Sequence, residues 1–164
     1  FKILSLNQNN YHGGSLRTFA TKKSSNLKEF KNKKLITFEN KKGIYSLKFY
    51  EKLMKKINLK KISLLDRLIK FTSKDYTIIG IGAGAKANTF LTYYGLNNKI
   101  IKFITDASKF KKNKYTPLTR IPIKDDNEIK KIDKVVCLIL SWNISNLIIN
   151  KIKRINKNIK ILKI

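Results

Sequence analysis

The residues best suited to hold an anion follow the short β-branched run at 77–79. Glycines occupy positions 80, 82 and 84, and Lys86 comes two residues later. Small residues at the end of a strand let the backbone approach a ligand closely. A helix that begins there directs its free N–H groups and the positive end of its dipole toward the turn. Because Lys86 adds a mobile positive charge, this stretch predicts a phosphate or pyrophosphate site.

A second set of polar residues surrounds the glycine pair at 13–14. Ser15 and Arg17 are good donors to oxyanions, and His12 is the only histidine of the chain. Gly14 permits backbone angles that other residues avoid, although a purely structural turn would need the same glycines. The histidine, serine and arginine around this turn favour a binding site.

Further polar residues follow two apolar runs. Asp106 ends the run at 100–105, where a nicotinamide-dependent enzyme places its ribose-binding carboxylate, but it can equally cap the loop behind it. Trp142 and Asn143 follow the run at 135–140 and can stack on and hydrogen-bond to a base or a sugar. The alternative is that Trp142 closes the edge of a sheet while Asn143 is the N-cap of a helix.

A sheet is needed to bring these residues together. The apolar runs typical of buried strands lie at 77–79, 100–105, 135–140 and 159–164. Because helical periodicity lies between them, they predict a Rossmann-like α/β fold, with a mostly parallel sheet and flanking helices. Ligands bind at the carboxyl ends of parallel strands, so the glycine turn, Asp106 and residues 141–143 are predicted to face one crevice.

A segment of strands and a long helix precedes this α/β unit. Residues 1–6 predict a short strand, which leads through the polar turn to a second strand and a lysine-rich connection with a short helix. The pattern from Ser46 predicts a long helix with a break near Asn58. The predicted division is therefore an N-terminal segment at 1–45 and a Rossmann-like domain at 46–164.

Composition limits the classes of partner. The net charge of +27, from 37 basic and 10 acidic residues, would by itself favour anionic partners. The lysines are scattered rather than concentrated with arginines and aromatic residues, which favours a solvated surface over a nucleic-acid interface. No apolar run is long enough to span a bilayer, and residues 1–6 lack the apolar core of a secretion signal, so a cytoplasmic protein is predicted. Cys137 lies in an apolar run, as a reduced, buried structural thiol does.

Several motifs in order resemble the C-terminal domain of the nucleotide-sugar C-methyltransferases. The motifs are HGGSLR at 12–17, GAGAKANTFLTYYG at 82–95, Asp106, Lys111, Pro117, I-P-I at 121–123 and the pair Trp142 and Asn143. Members of that family depend on S-adenosylmethionine and act on deoxyhexoses carried on a nucleoside diphosphate. Asn113 and Leu118 stand where the family usually has glycine, and leucine adopts a positive φ poorly.

The resemblance implies a reaction that begins with deprotonation beside a keto group of the sugar, after which the enolate carbon attacks the methyl sulfonium of S-adenosylmethionine. It implies that the methyl-donor pocket, a zinc-binding cysteine cluster and the catalytic residues belong to an upstream domain, of which this chain lacks the motifs. No catalytic residue, metal ligand or bound cofactor is therefore predicted here. The chain is predicted to be the substrate-binding part of a longer enzyme, with that upstream domain and the nucleotide-sugar as its partners and no membrane contact.

The roles implied for individual residues follow from the same resemblance. Lys86 and the amides of 82–85 hold the pyrophosphate, Asn88 helps to form the pocket with the tryptophan–asparagine pair, and residues 12–17 line the cleft toward the catalytic domain. The predicted substrate-binding residues are His12, Gly14, Ser15, Arg17, Gly82, Gly84, Ala85, Lys86, Asn88, Asp106, Trp142 and Asn143.

Two other functions fit parts of the sequence. An NAD(P)-binding Rossmann fragment of an oxidoreductase would use the glycine turn and Asp106, although no downstream set of acid, base or metal ligand accompanies them. A basic nucleic-acid-binding module would show an affinity that falls steeply with salt and does not depend on the glycine turn.

Overall fold

The structure is a computed structural model that describes residues 1–30 and 33–164, without the side chain of His12. It divides into two compact units, Phe1–Ile57 and Asn58–Ile164. The strands are β1 (Lys2–Asn9), β2 (Ser15–Thr21), β3 (Thr77–Ile81), β4 (Ile104–Thr105), β5 (Ile123–Lys124), β6 (Val135–Ile139) and β7 (Lys160–Lys163). The helices are α1 (Lys33–Lys42), α2 (Leu47–Thr72), α3 (Ala85–Tyr94) and α4 (Ser145–Ile155). The division into functional parts at 45/46 remains a prediction.

The second unit contains a five-stranded parallel sheet. Its strand order is β5-β4-β3-β6-β7, which is 3-2-1-4-5 when these strands are numbered along the chain. This is the doubly wound Rossmann order without its sixth strand, and it reverses between β3 and β6. The predicted Rossmann-like α/β fold is therefore confirmed. The reversal point places the end of β3, and thus the glycine turn, where such sheets bind ligands.

Alternate residues of the central strands enter two separate hydrophobic clusters. In β3, Ile78 packs with Leu68 and Leu91 on one face, and Ile79 packs with Ile152 on the other. Burial on both faces explains why these strands read as continuous apolar runs in the sequence. Packing on both faces also fixes the positions of the carboxyl ends of the strands.

Gly80 and Gly95 have structural roles in the β3–α3 unit. A Cβ atom added to Gly80 would lie 2.7 Å from Leu140 Cδ1 and 2.8 Å from Ile104 Cγ1, so the sheet packs too closely there for a side chain. Gly95 ends α3 with a φ of 71° and donates its N–H to carbonyls of the last turn, as predicted for a helix stop.

The first unit begins with an antiparallel pair, β1 and β2, joined through a 3₁₀ turn at Tyr11–Gly13. The predicted strands and the short helix, α1, are confirmed. The predicted break near Asn58 is wrong, since α2 is continuous through it. Asparagine lowers helix propensity only slightly, and a single such residue does not interrupt a helix of this length.

Two further expectations about strands need correction. The run at 100–105 is predicted to be one strand, but β4 comprises only Ile104–Thr105. Ile100 and Ile101 donate their N–H groups to Asn97 O in a turn, whereas Lys102 and Phe103 already form backbone hydrogen bonds with residues of β3. Ile101 and Phe103 are nevertheless buried, which accounts for the apolar pattern. β5 was not predicted, because a two-residue strand next to a proline gives no periodicity.

No helix within residues 1–30 and 33–164 combines the length and the apolar character needed to cross a membrane.

Candidate functional site

Gly82 and Gly84 differ in what the fold requires of them. Gly82 has a φ of 95°, and an added Cβ would lie 1.9 Å from Ser141 Oγ, so the turn packs directly against Ser141, the second residue after the end of β6. Gly84 has φ −81° and ψ 169°, which any residue can adopt, and an added Cβ would meet no atom within 4 Å. The fold therefore requires glycine at 82 but not at 84, where it leaves open space in front of α3.

Asp106 holds the glycine turn in place. Its Oδ2 accepts a hydrogen bond of 2.7 Å from Ala83 N–H and one of 3.1 Å from Lys111 Nζ, while its Oδ1 accepts one of 2.9 Å from Ser108 N–H. Lys111 Nζ also donates to Ala83 O at 3.0 Å. Burial alone would raise the pKa of Asp106, but these hydrogen bonds and the charge of Lys111 outweigh it and lower the pKa. The contacts match the loop-capping alternative better than a free ribose-binding carboxylate.

The start of α3 combines free donors with a positive charge. Gly84 is the N-cap and provides no side-chain hydrogen bond, and no acidic residue lies in the first turn. The first N–H groups of a helix lack intrahelical acceptors, so those of Ala85 and Lys86 are suited to an anion. Lys86 is exposed beside them.

Two cavities adjoin the glycine turn within the second unit. The larger has a volume of about 350 Å³ and is lined by residues at the ends of β3, β4 and β6, by the apolar face of α4 and by the charged residues Asp106, Asp126 and Lys151. The smaller has a volume of about 200 Å³ and is lined by Ala83, Asn88 and the loop that follows β4. The Oδ1 atom of Asn88 is buried and has no hydrogen-bond partner among the described residues.

Trp142 and Asn143 lie in a 3₁₀ turn, Trp142–Ile144, which begins at the third residue after the end of β6. The Trp142 side chain is 37% exposed, and its ring centroid lies 6.3 Å from that of Phe90 in α3. Both structural alternatives for this pair are wrong: β6 is an interior strand, so Trp142 does not close an edge, and the N-cap of α4 is Ile144 rather than Asn143. Trp142 presents part of an aromatic face beside Phe90, in the second half of α3.

The remaining predicted site residues lie in the first unit. Gly14 has a φ of 124°, and Ser15 Oγ donates a hydrogen bond of 2.8 Å to Tyr11 O, so this hydroxyl stabilises the turn. Arg17 is exposed opposite Asn7 and lines an open depression of about 530 Å³. The side chain of His12 lies outside the described part of the structure.

The predicted site residues thus fall into two groups. Those at 12–17 lie in the first unit. The structure brings the others together around the carboxyl ends of β3, β4 and β6 in the second. Sequence reasoning did not identify Thr105, the last residue of β4, which is fully buried with a hydroxyl that has no hydrogen-bond partner among the described residues. Its position at the end of a strand was the only available signal.

The loop that replaces glycine with Asn113 and Leu118 keeps a glycine-like backbone. Asn113 has a φ of 62°, Leu118 a φ of 60° and Arg120 a φ of 54°. The Thr116 hydroxyl stabilises the loop, because it accepts a hydrogen bond of 2.9 Å from Ile121 N–H and lies 2.7 Å from Thr119 Oγ1. The loop therefore has the positive φ angles expected for glycine at positions 113 and 118, although neither residue is glycine.

Within the described part of the chain, no three His, Cys, Asp or Glu side chains lie close enough together to hold a metal ion. Residues 10–161 match the family described as the C-methyltransferase C-terminal domain. No curated protein matches the chain.

Proposed function

Because the chain belongs to the family of C-methyltransferase C-terminal domains, we propose that it binds the substrate of an S-adenosylmethionine-dependent methyltransferase, a deoxyhexose carried on a nucleoside diphosphate. The domain binds and orients this nucleotide-sugar, and the methyl transfer takes place on another part of the enzyme. The resemblance of the motifs at 12–17 and 82–95 supports this substrate class.

The observation that carries the proposal is the open space at Gly84. A glycine that the fold does not need stands at the N-cap of α3, beside the exposed Lys86. A phosphate group can approach the backbone closely there, accept hydrogen bonds from free N–H groups and pair with an ammonium group.

Two N–H groups of the glycine turn already have acceptors within the protein and are therefore not available to a phosphate. Gly82 N–H already donates to Thr105 O at 2.7 Å, and Ala83 N–H donates to Asp106. The pyrophosphate is therefore held by the N–H groups of Gly84, Ala85 and Lys86 and by the Lys86 side chain. Gly82 and Asp106 act on the substrate only through the shape of the turn.

The residues of this domain do not fit a methyl-donor site. A carboxylate at the end of the second strand of a Rossmann-like sheet is the usual partner of ribose hydroxyl groups. Asp106 occupies that position, but its two oxygens accept three hydrogen bonds from the protein itself. The same contacts argue against NAD(P) as a ligand, so we place S-adenosylmethionine on another part of the enzyme.

Calorimetric titration of a dTDP-hexose tests the proposal. Loss of one charge-assisted contact is expected to weaken binding about tenfold or more in the Lys86→Ala variant. Lys99→Ala is the matched control, because it removes the same charge from an exposed site beyond the other end of α3 and is expected to bind as the wild type does. Equal affinities of wild type and Lys86→Ala would contradict the pyrophosphate assignment.

A titration with an oligonucleotide at two salt concentrations separates this function from nucleic-acid binding. Association driven only by the charge of +27 would weaken steeply with salt and would be the same in wild type, Gly84→Ala and Lys86→Ala. Strong oligonucleotide binding without any dTDP-hexose binding would support the nucleic-acid module instead.

A further inference from the structure

The larger cavity beside the glycine turn, called here the Thr105 cavity, has the size of a ligand site. Its volume of about 350 Å³ lies within the range of roughly 300–1,000 Å³ that is usual for small-molecule sites. It opens at the carboxyl ends of β3, β4 and β6, where the strand order reverses. All of its lining residues belong to the second unit.

Thr105, one of the residues that line this cavity, has an unsatisfied polar group. The residue is 0% exposed, and its Oγ1 has no hydrogen-bond partner among the described residues. A buried hydroxyl without a partner destabilises a protein, and valine would fill the same volume without that cost. The fold therefore does not use the hydroxyl, but a ligand in the cavity can hydrogen-bond to it.

The rest of the lining selects the chemical class of the ligand. Ile144, Leu147 and Ile148 provide an apolar wall beside the start of α4. The charged residues of the lining already have partners in the protein, since Asp126 pairs with Lys151 and Asp106 pairs with Lys111. The flat face of a nucleobase packs well against such a wall, with Thr105 and Ser141 as its polar partners. A hexose placed against the apolar wall of Ile144, Leu147 and Ile148 would leave several of its hydroxyl groups without hydrogen-bond partners.

The position of the cavity relative to the phosphate site agrees with this. Gly82 lines the Thr105 cavity, and the adjacent Ala83 lines the smaller cavity, so the two flank the same turn. The lining of the smaller cavity includes Lys114 and Asn88, and the Oδ1 atom of Asn88 has no hydrogen-bond partner among the described residues, so these groups suit a sugar. A pyrophosphate at the start of α3 can thus join a nucleoside on one side to a hexose on the other.

We propose that the Thr105 cavity binds the nucleoside of the nucleotide-sugar, with the Thr105 hydroxyl hydrogen-bonded to it. This inference rests on the proposed function, because it divides one substrate between the phosphate site and the cavity. It assigns the choice of nucleoside to residues of β4 and α4, which the predicted site does not contain.

Calorimetric titration of dTDP and of inorganic pyrophosphate into matched variants tests the assignment. Thr105→Val is expected to weaken dTDP binding about tenfold and to leave pyrophosphate binding unchanged, because it removes only a contact to the nucleoside. Ile148→Phe narrows the cavity and is expected to have the same selective effect. Thr77→Val is the control, since it makes the same side-chain change at the amino end of β3, where the residue does not line the cavity. It is expected to alter neither affinity.

Thermal melting of each variant verifies that it is folded, and Thr105→Val is expected to melt at or above the wild-type temperature. Unchanged dTDP binding in both Thr105→Val and Ile148→Phe, with weakened binding in Lys86→Ala, would overturn the cavity assignment and leave the proposed function in place. Failure of wild type to bind a dTDP-hexose at all would remove both proposals, and the wild-type titration alone reveals that outcome.

Discussion

The carboxylate of Asp106 accepts three hydrogen bonds beside the glycine turn, and we expect its removal to lower the stability of the protein. Its side chain is only 13% exposed, and it joins Ala83, Ser108 and Lys111. At neutral pH, Asp106→Asn is expected to lower the free energy of unfolding by about 2 kcal/mol, because hydrogen bonds to charged groups contribute more than neutral ones. Urea denaturation measures this loss, and Asp66→Asn, which breaks only an exposed pair with Lys70, is the control, with an expected loss below about 0.5 kcal/mol.

The lowered pKa of Asp106 makes the same contribution depend on pH. A carboxyl group with a lower pKa in the folded than in the unfolded state stabilises the fold at pH values above the unfolded pKa. This stabilisation is lost as the pH falls through the folded pKa. The difference in stability between wild type and Asp106→Asn should therefore be full at neutral pH and narrow at about pH 3. A difference that stays constant across this range would show that Asp106 acts through shape alone.

Substitution of Gly82 is expected to affect mainly stability, and substitution of Gly84 is expected to affect mainly binding. Gly82→Ala is expected to cost about 3 kcal/mol, because the positive φ and the overlap with Ser141 both oppose a side chain. Gly84→Ala is expected to change stability by less than about 1 kcal/mol but to weaken dTDP-hexose binding, since its methyl group enters the space in front of α3. Denaturation and titration of both variants measure the two effects. Normal binding by Gly84→Ala would show that no ligand comes close to this backbone.

At the level of whole elements, the loop between β4 and β5 contains backbone strain that one substitution can relieve. Leu118 has a φ of 60°, and its side chain is 82% exposed, so it gains little from burial to offset that conformation. Leu118→Gly is expected to stabilise the protein by about 0.5–1 kcal/mol, whereas Leu118→Ala keeps a Cβ atom and is expected to give no such gain. Equal melting temperatures for the two variants would mean that the loop adapts its backbone to the residue at 118.

At the level of the whole molecule, the hydrophobic core is confined to one unit. Every buried hydrophobic residue among the described ones lies between Leu64 and Leu162. A shortened protein consisting of residues 58–164 is therefore expected to keep its circular dichroism spectrum and a cooperative melting transition. A peptide of residues 1–57 is expected to lack such a transition, because none of its described side chains is a buried hydrophobic one that could oppose the loss of chain entropy. Failure of residues 58–164 to fold would show that the first unit is required for the sheet.

The sequence by itself determined the β3–turn–α3 unit and the Rossmann-like class of the fold. It also placed Asp106 and Trp142 together at the carboxyl ends of the parallel strands. These features depend on local patterns: a β-branched run, glycines that permit or end an element, and helical spacing. The order of motifs from His12 to Asn143 also indicated the family. Each of these signals is contained within a short stretch or in its position along the chain.

Only the tertiary structure decided what the individual residues at the carboxyl ends of the strands do. Asp106 meets Ala83 across 23 positions of sequence, and Gly82 meets Ser141, so neither contact has a local pattern. The unsatisfied hydroxyl of Thr105 became visible only when its surroundings were known. Spacing along a chain fixes which face of an element a side chain occupies, but whether a polar atom finds a partner depends on segments that pack against it from elsewhere.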